Sequence, residues 1–212
     1  MKALAFDMDG VIIDSESFIV EIEQLVCQRY GLRVPDHEWE HFRGQTSEFI
    51  FSYIVTKYGR SALDVDQLVL AKRQLYLDLA ADRLRPIAGS LEFLAWVRQR
   101  YDKLSLTTMS SRAIQVKVFE VFGLEPLFDV VVNGDQVAHS KPHPESYQLT
   151  FERLGGLPDY VVEDSDNGIY AAKAAGARVL GLTTSFSADK LFACGADGVI
   201  ASFDELRGLI EA

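Results

Sequence analysis

Six short apolar runs, most of them followed by a segment of helical periodicity, constrain the fold of this chain more than any other feature. Ala3–Phe6, Leu104–Thr108, Val130–Val132, Tyr160–Val162, Arg178–Leu182 and Gly198–Ile200 read as short buried strands. Between and after them lie amphipathic stretches at Leu91–Arg100, Ala113–Phe122, Glu145–Leu154, Gly168–Ala175 and Leu206–Ile210. Alternating buried strands and helices predict an α/β fold with a doubly wound parallel sheet. One insertion breaks the rhythm. Glu16–Tyr30, Ser47–Tyr58 and Val65–Ala81 are helical in period, interrupted at Gly31, Pro35, Gly44, Gly59 and Arg85-Pro86. These helices either pack on the sheet or form a lobe of their own, and so long a run between adjacent strands predicts the lobe. The expected organisation is a core of residues 1–14 and 85–212 with a small all-helical domain at 15–84.

A chain of 212 residues with 48% hydrophobic content can bury its core without disulfides or structural metals. Its formal net charge of −10 repels polyanions, which disfavours a nucleic-acid partner. The same field repels a small phosphorylated substrate, so such a ligand requires local positive charge from a lysine or a metal. Cys27 and Cys194 lack CxxC spacing and are expected to be buried apolar side chains in a reducing compartment. The first residues begin like a signal peptide, but Asp7 and Asp9 interrupt the apolar run. No stretch approaches the ~20 apolar residues of a membrane span. A cytoplasmic monomer is expected.

The chemistry concentrates at the ends of the strands. Asp7-Met8-Asp9-Gly10-Val11 follows the first apolar run directly, where α/β sheets collect their ligands. Two carboxylates two residues apart can face one pocket with Met8 turned away, and Gly10 permits an unusual turn. One carboxylate of such a pair can attack phosphorus while the other handles the proton of the leaving group. Asp7-Met8-Asp9-Gly10 can also be a plain surface turn. Glu163 and Asp164 end another apolar run, and four gathered acids repel one another unless a cation neutralises them. Oxygen donors of this kind suit Mg²⁺. Ser165-Asp166-Asn167-Gly168 opens the next helix, where capping competes with ligation. Thr108 and Met109 stand where a strand gives way to a helix amino terminus and are assigned to phosphate binding, Thr108 as the phosphate-facing hydroxyl. Lys141, held between Ser140 and Pro142 ahead of His143-Pro144-Glu145, supplies the positive charge that the phosphate requires.

The ordered set Asp7-Met8-Asp9-Gly10-Val11, Thr108, Ser140-Lys141-Pro142 and Glu163-Asp164-Ser165 resembles the four motifs of haloacid dehalogenase-type phosphohydrolases. Asp14-Ser15-Glu16, the helical insertion and Asn167-Gly168 are similar to the β-phosphoglucomutase-like branch. The resemblance implies a Rossmann-like core with a helical cap that closes over the site, Asp7 as nucleophile and Asp9 as general acid and base. It also implies phosphoryl binding by Thr108 and Lys141, and Mg²⁺ held by Asp7, the Asp9 carbonyl, Glu163 and Asp164. Arg43-Gly44-Gln45-Thr46 resembles the substrate-specificity loop of the cap. Arg43 reads equally as a contact to a polar or anionic group and as an exposed helix-end arginine.

Ile19 and Ser47 depart from the mutase, which has a histidine and an arginine at those places, so hydrolysis is expected over isomerisation. The leading expectation is a phosphatase acting on a small phosphorylated metabolite such as a sugar phosphate. The alternatives are a sugar phosphomutase and a non-catalytic binding module. Lys72-Arg73 reads as a solvated face. His37, His41, His139 and His143 show no pairing that suggests a metal or a relay, and surface or capping roles are expected for them.

Overall fold

The computed structural model describes residues 2–42, 45–59 and 63–211. The chain divides into two compact units, Met1–Asp14 with Arg85–Ala212 and Ser15–Leu84. Strand β1 (Ala3–Phe6) runs into a two-residue strand β2 (Ile13–Asp14), after which helices α1 (Ser15–Arg29), α2 (Ser47–Tyr58) and α3 (Val65–Arg83) make up the second unit. The chain returns at β3 (Arg85–Pro86), which pairs antiparallel with β2 through Ile13 opposite Pro86 and Asp14 opposite Arg85. Then follow α4 (Ser90–Val97), β4 (Lys103–Thr107), α5 (Arg112–Phe122), β5 (Val130–Val132), α6 (Glu145–Leu154) and β6 (Tyr160–Glu163). The last elements are α7 (Asp166–Ala174), β7 (Val179–Leu182), α8 (Ala188–Ala193), β8 (Gly198–Ile200) and α9 (Phe203–Glu211).

Six strands form one parallel sheet in the order β5-β4-β1-β6-β7-β8. From β1 the chain winds outward to β4 and β5 on one side, then continues from β6 on the other. That reversal is the switch point at which doubly wound sheets open a crevice beyond their strand ends. All four residues of β1 are buried, as a strand covered on both faces demands. Ala5 belongs to the core under α6, α7 and α8, with Tyr147, Phe151, Ile169 and Leu191. Phe6 points the other way, its ring 6.2 Å from Phe93 and 6.4 Å from Phe128. Successive side chains on a strand face opposite sides, so one short strand anchors both layers.

In the helical unit, Phe18 of α1 packs on Tyr76 of α3 with ring centroids 4.9 Å apart. Thr46 caps α2 by accepting the Phe49 amide at 3.2 Å. Lys72 is not the solvated cation expected from the sequence. Its ammonium donates to Glu23 Oε1 at 2.7 Å and to Ser47 Oγ at 2.6 Å. Glu23 sits on the buried side of α1, where burial raises its carboxyl and Lys72 opposes that rise. A buried carboxylate needs a partner, and the long lysine stem reaches it from the neighbouring helix. Arg43 and Gly44 lie outside the described residues. Gln45 is exposed, its amide bonded to the Phe42 carbonyl at 3.0 Å.

The two cysteines are buried and unpaired. No helix among the described residues is long and apolar enough to cross a membrane.

Candidate active site

The switch point carries the acids. Asp7 follows β1 with its amide bonded to the Val162 carbonyl of β6 at 3.0 Å, so the sheet itself fixes the backbone beneath this carboxylate. Met8 is fully buried, which leaves Asp7 and Asp9 to serve the crevice. Gly10 has φ +79°, and a Cβ there would overlap the Asp164 carboxylate. Glycine therefore does two jobs, permitting the turn and letting a carboxylate from β6 approach the β1 loop. Thr184 ties that loop down by donating to the Gly10 carbonyl at 2.6 Å. Gly10→Ala is expected to lower stability by about 1–2 kcal/mol from the left-handed backbone alone. Displacement of Asp164 adds to that loss. Chemical denaturation of the metal-free protein checks it; an unchanged midpoint would contradict the packing described here.

One ligand oxygen each from Asp7, Glu163 and Asp164 lies within 4.8 Å of the others. Lys141 reaches into this group from the loop ahead of α6. Its ammonium donates to Asp7 Oδ1 at 2.6 Å, Glu163 Oε1 at 2.7 Å and the Thr107 carbonyl at 3.0 Å. The peptide between Lys141 and Pro142 is cis. Glu163 is fully buried and also receives the Tyr147 hydroxyl at 2.6 Å and Ser165 Oγ at 3.2 Å. A Cβ on Gly168 would overlap the Glu163 carboxyl group, so this residue lets the acid settle over the first turn of α7. Ser165 caps that helix by accepting the Gly168 amide at 3.0 Å, so its hydroxyl serves cap and carboxylate together. Asp164 receives a short hydrogen bond from Ser185.

Asp9 stands slightly apart. Its Oδ2 accepts from Thr108 Oγ1 and from Ser110 Oγ, each at 2.9 Å. Thr108 is fully buried at the end of β4, and its hydroxyl also accepts the Ser110 amide at 3.0 Å. This hydroxyl, expected to face phosphate, is thus bonded to Asp9. Met109 supports the lysine loop, its sulfur 3.3 Å from the Lys141 amide nitrogen.

Charge in this cluster is unbalanced. Burial lifts the Asp7 carboxyl well above the usual carboxylate range; Lys141 opposes the rise, and Glu163, Asp9 and Asp164 reinforce it. Burial and then Glu163 push Asp164 up to about 7, against the Ser185 hydrogen bond and Lys141. Burial also works against the charge on Lys141, but Asp7 and Glu163 outweigh it and hold the ammonium above its usual range. Four carboxyl groups, Asp7, Asp9, Glu163 and Asp164, face one ammonium. Oxygen donors gathered in this way are the kind that hold a hard divalent ion.

The structure thus brings together Asp7, Asp9, Thr108, Lys141, Glu163 and Asp164. Tyr147, Ser110, Thr184 and Ser185 complete the group and were not singled out from the sequence. A tyrosine on an amphipathic helix reads as core, and nothing in its spacing marks the hydroxyl that meets Glu163. His139 and His143 are exposed, as expected, and both approach the Glu145 carboxylate at the start of α6.

A parallel sheet that gathers acids and a lysine at its switch point places this chain among the doubly wound α/β enzymes. Residues 4–182 match the haloacid dehalogenase-like hydrolase model, and the chain belongs to that family. It is 32% identical over 219 residues to a phosphorylated carbohydrates phosphatase of Thermotoga maritima, covering 100% of this chain and 99% of the relative. It is 31% identical over 175 residues to the fructose-1-phosphate phosphatase YqaB of Escherichia coli, covering 82% of this chain and 92% of that protein. Among solved structures, CbbY from Rhodobacter sphaeroides in complex with phosphate superimposes with a TM-score of 0.83 at 26% identity, covering 97% and 96% of the two chains.

Proposed function

We propose that this protein is a Mg²⁺-dependent phosphatase that hydrolyses a small phosphorylated metabolite, a sugar phosphate, through an aspartyl-phosphate at Asp7. The observation that carries the reading is the convergence of Asp7, Glu163 and Asp164 within 4.8 Å of one another, with Lys141 bonded to two of them. The oxygen-only donor set and the unfavourable crowding of buried carboxyls fit a hard divalent ion. Asp7, Glu163, Asp164 and the Asp9 carbonyl would hold it, with Glu163 also anchoring Lys141. Bound there, Mg²⁺ would offset the charge of the phosphoryl oxygens.

The chain's own residues divide the remaining work. Asp7 attacks phosphorus in line and becomes the acyl phosphate. Lys141 supplies the ammonium that lets one anion approach another. Asp9, oriented by Thr108 and Ser110, gives its proton to the departing alkoxide and then takes one from the water that hydrolyses the intermediate. The helical unit is assigned substrate selection on the strength of the family resemblance. A panel of phosphorylated sugars, polyols and nucleotides assayed for free phosphate, with Mg²⁺ and with chelator, tests the reading. Release from sugar phosphates that stops with chelator supports it. An isomerised product without phosphate release would favour a mutase, and no turnover on any ester would favour a binding module.

Metal and proton compete for the same carboxylates. A carboxyl raised in the folded state is a net cost once it must ionise. Asp164, near 7 when folded against 3.8 in an unstructured chain, therefore weakens the metal-free protein as pH rises from about 4 to about 7. Asp7 acts in the same direction. Mg²⁺ binding demands both carboxylates, so affinity is expected to rise with pH through about 7. On the order of one proton is released per ion just below that pH. Calorimetric titration of Mg²⁺ in two buffers of different ionisation enthalpy measures that proton. Identical enthalpies in both buffers would contradict it.

A further inference from the structure

We propose that His139, His143 and Glu145 form a second metal site, for a borderline divalent ion such as Zn²⁺, on the loop that carries Lys141. One ligand atom of each residue lies within 4.8 Å of the others. Glu145 Oε2 is the centre of the group, 2.8 Å from His139 Nδ1 and 3.9 Å from His143 Nδ1. The two imidazole rings lie side by side, centroids 4.5 Å apart and tilted by 34°.

Backbone contacts hold the arrangement in place. Glu145 Oε1 accepts the Ala138 amide at 2.8 Å and Oε2 accepts the His139 amide at 3.0 Å, so the carboxylate is aimed before any ion arrives. The His143 amide closes the turn onto the Ser140 carbonyl at 3.0 Å. The Glu145 amide donates to His143 Nδ1 from 3.3 Å, so that nitrogen carries the lone pair, and an ion bound there takes the place of this long contact.

Geometry asks for little movement. Tetrahedral zinc with bonds near 2.0–2.2 Å separates its ligand atoms by about 3.3 Å. The present separations of 2.8 and 3.9 Å straddle that value. Both imidazoles are exposed and free to make the half-ångström adjustment. Donor chemistry separates the two clusters of this unit. Two imidazoles and one carboxylate favour zinc, cobalt or nickel over magnesium, whereas Asp7, Glu163 and Asp164 offer only oxygen. Three protein ligands leave the remaining position to water, the make-up of an exchangeable site. An ion held there would tie His139 to His143 across Lys141, which sits two residues from each.

The test uses the untagged full chain in excess Mg²⁺, which occupies the oxygen cluster. Zn²⁺ is titrated by calorimetry, and Co²⁺ serves as a spectroscopic stand-in whose visible absorption reports nitrogen ligation. One ion per chain is expected. His139→Ala or His143→Ala should each weaken binding by about 100-fold or more, because losing even an outer-shell partner of a metal site costs 10–100-fold. Circular dichroism melts of both variants are expected to match the parent. No Zn²⁺ or Co²⁺ binding in excess Mg²⁺ would overturn the proposal. So would binding that both histidine variants retain and Asp164→Asn abolishes. Because the readout is binding, failure of the phosphatase reading would not affect it.

Discussion

Asp7→Asn is expected to lower phosphate release by roughly 10⁴–10⁶-fold, the scale on which loss of a covalent nucleophile registers. The substitution preserves shape and removes only the charged oxygen that would attack. It is also expected to leave the metal-free protein as stable as the parent. Asp7 competes with Glu163 for the one ammonium of Lys141, and its carboxyl is disfavoured by burial. A neutral amide leaves Lys141 and Glu163 as a balanced buried pair. Steady-state phosphate assay and a thermal melt, run on the same preparation, separate the two effects. Loss of activity accompanied by loss of fold would contradict the charge account.

Lys141→Ala is expected to do the opposite on stability. Its side chain is 6% exposed, and it is bonded to two buried carboxylates, so its removal strands both. Breaking a buried pair by deleting one partner costs about 3–5 kcal/mol. For a chain of this size that is a fall in melting temperature on the order of 10 °C. Activity falls too, by about 10²–10³-fold, as for loss of a preorganised charge at the reacting group. Mg²⁺ should return part of the lost stability by supplying the missing positive charge. A melt unchanged from the parent would show that the lysine is not the counter-ion of this cluster.

These contrasts could be sketched from the sequence because acids that follow apolar runs have few places to go. A strand buried on both faces reads as continuous Val, Leu, Ile and Ala, so its end is easy to find. Asp7, Glu163 and Asp164 stand at such ends. Val130–Val132, Gly198–Ile200 and Glu145–Leu154 keep their expected bounds. What stayed hidden was short or cooperative. β2 and β3 have two residues each, too few for any periodicity, and their pairing depends on the long insertion returning to where it left. α8 has six residues, of which only Leu191 is buried, so it has no apolar stripe to recognise. Tyr147 and Ser185 approach the acids from a helix and a loop whose local patterns describe packing, not chemistry. The setting of Lys72 was hidden because its partner Glu23 is brought close only by folding, as Glu145 is for the exposed His139 and His143.

The covalent step is the centre of the account, and trapping it is the direct test. The protein would be mixed with a sugar phosphate bearing a labelled phosphoryl group in the presence of Mg²⁺, quenched in acid within one turnover and digested. The label is expected on the peptide that contains Asp7, and to be missing when Asp7→Asn is treated in the same way. Phosphate released at full rate with no label ever joined to the protein, or label carried on another residue, would contradict the account.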